Sequence, residues 1–126
     1  MKNIALLILR IGIGSSFILH GYPKIIGGES TWVWLGTAVG LTLFPIFWGL
    51  CAALAEFLGG ILIVVGLKTR WAGLFNGLTM LGAIVYHFGK EESILHPLEL
   101  LTVSLFLAIV GAGKYSIDFY ISANKK

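Results

Sequence analysis

Charged residues, cysteine and cofactor motifs are what this chain has least of. Asp, Glu, Lys and Arg make up 12% of its 126 residues, against 57% hydrophobic ones, and the mean hydropathy is +0.92. A soluble domain of this size has too little interior to hide that much apolar surface, which leaves lipid as the expected solvent. The net charge of +3 is small and dispersed, so no nucleic-acid partner is expected and the cations read as membrane-flanking residues. One cysteine, Cys51, excludes an internal disulfide and any dithiol chemistry carried by this chain alone. It reads as a small apolar side chain facing lipid or a partner. No haem, flavin or iron–sulfur signature occurs, so electrons handled here would have to come from a partner protein.

Long apolar runs are what the chain does have. Crossing about 30 Å of hydrocarbon takes about 20 apolar residues. Asn3–Tyr22, Phe44–Gly66 and Trp71–Phe88 pass that test, and Leu95–Gly111 is slightly short. The pattern predicts a single all-α domain over residues 1–126, an integral membrane, antiparallel four-helix bundle. Its first run ends in His20-Gly21-Tyr22-Pro23-Lys24 with no small-x-small cleavage site, so a retained span is expected. Pro23 follows the first span, whereas Pro45 and Pro97 fall in the first turns of the second and fourth, where no backbone donor is lost. Thr31–Gly40 is apolar and short, which predicts a helix lying in the interface between the first two spans.

With four spans, Lys2, Lys68, Arg70, Lys114, Lys125 and Lys126 collect on one side, and Lys24 and Lys90 on the other with Glu29, Glu91 and Glu92. Positive-inside bias then places both termini and the Gly66–Arg70 turn in the cytoplasm. Trp32, Trp34, Trp48 and Tyr86 mark the outer interface, and Trp71, Tyr115 and Tyr120 the inner one.

Ionisable groups within a span are costly and need a partner or a purpose. Arg10 comes out about 10 Å above the inner end of the first span and Glu56 about 16 Å above that of the second, at 1.5 Å per residue. The gap is short enough for the two side chains to meet. Asn76 falls near the depth of Arg10, so Arg10, Glu56 and Asn76 form a buried polar cluster, either fixing helix register or serving a ligand or proton. A second cluster, nearer the outer surface, combines His20, His87 and Glu99, with Lys24 and His96 close by. It could form a quinone or other head-group pocket, or simply hydrogen bonds at the interface. Two histidines and a carboxylate could also hold a divalent metal, but no tight local motif supports one and none is assigned. Glu99 has a plainer role available as an acid in the first turn of its helix.

The motifs then resemble a known family. Leu9-Arg10-Ile11-Gly12 with Leu19-His20-Gly21-Tyr22-Pro23-Lys24 resembles the first helix of DoxX-family membrane proteins. Ala55-Glu56-Phe57-Leu58-Gly59-Gly60, followed by Gly66-Leu67-Lys68-Thr69-Arg70, resembles their second helix and basic turn. Gly111-Ala112-Gly113-Lys114-Tyr115-Ser116-Ile117-Asp118 resembles their C-terminal signature. The resemblance implies residence in the plasma membrane of a bacterium or archaeon. It also implies a small subunit of a quinone-linked oxidoreductase, with His20 or Glu56 exchanging protons and Arg10 or Lys24 steadying an anionic form. Broader relatives suggest instead a non-enzymatic assembly factor, chaperone, or lipid- or protein-binding module. Either role implies a partner protein or a homo-oligomer, and whether the chain is itself an enzyme stays open.

Overall fold

The computed structural model describes residues 1–126 and contains six helices and no strands. They are α1 (Lys2–Ile26), α2 (Gly28–Ala38), α3 (Pro45–Val65), α4 (Thr69–Gly89), α5 (Leu95–Val110) and α6 (Ile117–Asn124). By length and composition α1 and α3 are apolar enough to cross a membrane. α5, at 16 residues, reaches only about 24 Å. α4 has 21 residues, but Arg70, Asn76, Thr79 and His87 dilute its apolar character.

Local chemistry sets the helix ends. Pro45 opens α3, where its fixed φ suits a helix and its missing N–H is not needed. Gly66 closes α3 at φ +74°, with Gly66 N–H donating to Ile63 and Leu67 N–H donating to Leu62. That pairing is a Schellman motif, and it needs the left-handed conformation that glycine adopts without strain. Ser116 caps α6 by accepting from Phe119 N–H at 3.2 Å.

α1 departs from the sequence expectation, continuing through Pro23 to Ile26. Pro23 falls within its last turns, and its carbonyl still accepts from Gly27 N–H at 2.9 Å. The short helix α2 starts at Gly28 rather than Thr31, and the expected surface tail contains α6.

α1 and α3 pack antiparallel, since Gly14 lies against Gly60 and Val64 while Gly21 lies against Glu56 and Phe57. A Cβ on Gly14 would sit 2.8 Å from the Gly60 carbonyl oxygen, and one on Gly60 equally close to that of Gly14. Only glycine permits that backbone approach. α4 and α5 also run antiparallel, with Gly73 against Ser104 and Ala108 and Gly77 against Leu101 and Ser104. Leu6, Phe17, Ile63, Met80, Leu100 and Leu107 fill the core. Large apolar side chains such as Ile8, Leu19, Val85, Phe88 and Ile109 point outward, as a lipid-facing surface requires.

Candidate functional site

The stripe Arg10, Gly14, Phe17, Gly21 is buried along α1, and Lys24 continues it by one turn. Because α1 stays helical past Pro23, Lys24 reaches α3 and donates to both carboxylate oxygens of Glu56, at 2.7 and 2.6 Å. Glu56 is 1% exposed and the Lys24 side chain 29%. A buried carboxylate is tolerable only with such a partner. Trp32 on α2 donates from Nε1 to the Lys24 carbonyl at 2.9 Å, which ties α2 to the same corner.

Beside this pair lies a cavity of about 610 Å³ between α2, α3 and α4. Trp34 and Gly36 of α2 with Val39 just after it, Phe47, Trp48, Cys51 and Ala55 of α3, and Phe75, Leu78 and Tyr86 of α4 form its mainly apolar wall. Lys24, Glu56, Thr79 and His87 supply the polar groups. The volume and the balance of apolar wall to few polar groups are those of small-molecule sites. Gly49 keeps α2 in place as one side of the cavity, because any Cβ there would overlap the Trp32 backbone.

The remaining candidate residues are arranged differently from the sequence expectation. Arg10 is fully buried but does not meet Glu56. Its guanidinium donates to the carbonyls of Ile63 at 3.4 Å and Val64 at 3.3 Å and to that of Tyr115. It therefore meets the Val64 carbonyl, which the end of α3 leaves open, and shares that of Ile63 with the Gly66 N–H. Asn76 is buried, donates to Ala72 at 3.0 Å and lies against Gly59, with its Oδ1 unpaired. The expected three-residue cluster is thus split, with Arg10 at the C-terminal end of α3 and Glu56 and Asn76 nearer its middle. The α1 and α3 helix ends do not share a plane, and Arg10 lies level with the last turn of α3 rather than with its middle.

The outer trio is divided as well. His20 is exposed, with Nδ1 2.7 Å from the Ser16 carbonyl and Nε2 3.4 Å from Nε2 of His96. His87 pairs through Nδ1 with Glu92 at 2.7 Å and lines the cavity, whereas Glu99 is exposed. Of the proposed pocket residues, the cavity gathers Lys24 and His87 and leaves out His20 and Glu99.

Sequence reasoning missed the role of Asp118. Its carboxylate accepts from the backbone N–H groups of Lys68 at 2.6 Å and Thr69 at 3.0 Å, and its own N–H donates to the Gly66 carbonyl at 2.8 Å. It caps the start of α4 from 49 residues away in sequence. The signal was the Gly111–Asp118 motif, whose purpose a one-dimensional reading could not supply.

Small-residue helix packing, an outward apolar surface and a cavity walled in part by one ion pair define a small helical membrane protein with a cavity in its flank. The chain belongs to the DoxX family, whose model it matches over residues 5–89. It is 33% identical over 130 residues to "Putative oxidoreductase CatD" of Bacillus subtilis (strain 168), with 98% of this chain and 92% of that one covered. It is 36% identical over 132 residues to "Inner membrane protein YqjF" of Escherichia coli (strain K12), covering 100% of this chain and 97% of the relative. A second protein of that organism, "Inner membrane protein YphA", is 31% identical over 134 residues, at 93% and 90% coverage. No solved structure matches the chain significantly.

Proposed function

We propose that α1, α3, α4 and α5 cross the membrane as an antiparallel four-helix bundle, one domain over residues 1–126, whose flank cavity takes the head group of a lipophilic quinone. In this reading the chain is a small membrane subunit of a quinone-linked oxidoreductase. The observation that carries it is the apolar cavity with the Lys24–Glu56 pair at its wall.

The residues suit such a guest. An ammonium has three donors. Glu56 engages Lys24 from one side, so a further N–H is free to meet a carbonyl. His87 keeps Nε2 available while Glu92 orients the ring through Nδ1. Reducing a quinone to a quinol takes two electrons and two protons. The electrons would come from a partner protein, and Glu56 and His87 stand where protons could be passed. The word oxidoreductase in the name of one relative agrees with this.

The basic residues support a location with both termini and the Gly66–Arg70 turn in the cytoplasm. With Cys51 changed to serine, a cysteine at Lys90 should react with an impermeant maleimide in intact cells, and one at Lys125 only after lysis. Reaction at Lys125 in sealed cells would reverse the orientation.

The assembly-factor reading keeps one observation of its own. The cavity opens between α2 and the bundle, and Trp34, Phe47 and Trp48 at its rim are 53%, 56% and 43% exposed, a surface also suited to a partner's helix. Purification from the native membrane in mild detergent, followed by mass spectrometry of extracted lipids and bound proteins, separates the two. Co-purified quinone that is lost in Glu56→Gln supports the first. A stoichiometric protein partner without quinone, in a preparation that also fails to bind added quinone, favours the second.

A further inference from the structure

The opposite end of the molecule carries a second cavity, of about 490 Å³, where α4, α5 and α6 meet. Lys68 and Arg70 border it together with Trp71, Gly111, Asp118 and Phe119. Both cations are exposed, and neither side chain makes an ion pair or a hydrogen bond in the folded chain. Lys68 takes part only through its backbone N–H. The Arg70 side chain lies over Gly111, with Nε 3.2 Å from where a Cβ would be. This places its guanidinium at the mouth of the cavity.

We propose that this cavity binds the head group of an anionic phospholipid, with Lys68 and Arg70 holding the phosphate and Trp71 and Phe119 packing on the glycerol and upper acyl chains. Three observations converge on a lipid. The two cations sit at a helix turn, the level at which a spanning helix meets phosphates. Trp71 and Phe119 are 61% and 46% exposed, and an aromatic ring beside a cation is the usual chemistry of that layer. Asp118 is the one acid here, outnumbered by the two cations, and its oxygens are held by backbone N–H groups, so it forms no ion pair with either of them. Basic pockets between membrane helices are also a recurring way of holding acidic lipid. The site is independent of the quinone cavity and stands whether or not that reading holds.

The test is native mass spectrometry of the full chain in detergent, titrated with dioleoylphosphatidylglycerol or dioleoylphosphatidylcholine. Phosphatidylglycerol should bind more tightly, and its affinity should fall as salt rises, because exposed charges are screened. Lys68→Gln and Arg70→Gln should each weaken it about fivefold, and the pair about 25-fold. The charge-preserving pair Lys68→Arg with Arg70→Lys should stay within about threefold of wild type. Equal affinity for the two lipids, or a glutamine pair that melts normally and binds phosphatidylglycerol as before, overturns the site. Inorganic phosphate stabilising the protein as much as the lipid does would assign the cavity to a free anion and overturn the lipid reading. If the glutamine pair does not fold, the single variants and the salt dependence of the wild type decide.

Discussion

Glu56 belongs to Lys24, the two being joined by contacts of 2.6 and 2.7 Å, while Arg10 serves the carbonyls at the far end of the same helix. Arg10 and Lys24 of α1 thus have separate duties. Lys24→Met should destabilise the protein by about 2–3 kcal/mol, less than a fully enclosed pair would lose, because Lys24 keeps contact with solvent. Glu56→Leu in the same chain should recover at least about 1 kcal/mol of that, whereas Arg10→Leu and Glu56→Leu should add to within about 0.5 kcal/mol. Unfolding in a denaturing detergent measures both cycles. Strong coupling between Arg10 and Glu56 would return the carboxylate to the arginine.

The cap that Asp118 supplies to α4 gives a second expectation. Asp118→Ala strands the N–H groups of Lys68 and Thr69 and should cost about 1–2 kcal/mol. It should also free α6, so that limited proteolysis cuts after Lys114 in the variant and not in the wild type. Equal protease resistance would show that α6 docks without the aspartate.

Gly49 and Gly12 form a matched pair of probes. Gly12→Ala meets open space and should leave stability unchanged or raise it by up to about 1 kcal/mol, since alanine favours a helix. Gly49→Ala must push α2 off α3, which opens the cavity and should abolish ligand binding even where the bundle still folds. Thermal melting and binding, measured side by side, check this. Normal binding by Gly49→Ala would remove α2 from the cavity wall.

The histidines should behave unequally. His87→Phe removes a donor in the cavity and should weaken quinone binding about tenfold, the worth of one good hydrogen bond. His20→Phe should stay within about twofold and melt within about 1 kcal/mol of wild type. Trp34 and Trp48 line the cavity, so quenching of tryptophan fluorescence by a soluble quinone analogue reports the affinity. A larger loss at His20 than at His87 would relocate the site.

The sequence marked Arg10 and Asn76 as buried polar residues, and it placed a short helix ahead of α3. It did not disclose which residue on α3 each would meet. Depths counted from apolar run ends assume that all helices start in one plane. The real offset carries Arg10 to the end of α3 and brings Lys24, which had been counted as a flanking charge beyond Pro23, against Glu56. The cavity was equally hidden, because its wall joins residues of α2, α3 and α4 that share no periodic pattern. Composition does not distinguish His20 from His87, yet His20 is exposed beside His96 while His87 lines the cavity.

The contact between Arg10 and the Tyr115 carbonyl spans 105 residues, and this matters during synthesis. When α1 first enters the bilayer, its guanidinium has neither α3 nor residue 115 to bond with, although a lone arginine in hydrocarbon is costly. Once α3 is made, the carbonyls of Ile63 and Val64 can meet one side of the guanidinium, whereas the other side waits for Tyr115. Completion of the Arg10 contacts is therefore delayed until residue 115 is made, and a chain stalled before it would leave part of the guanidinium unmet.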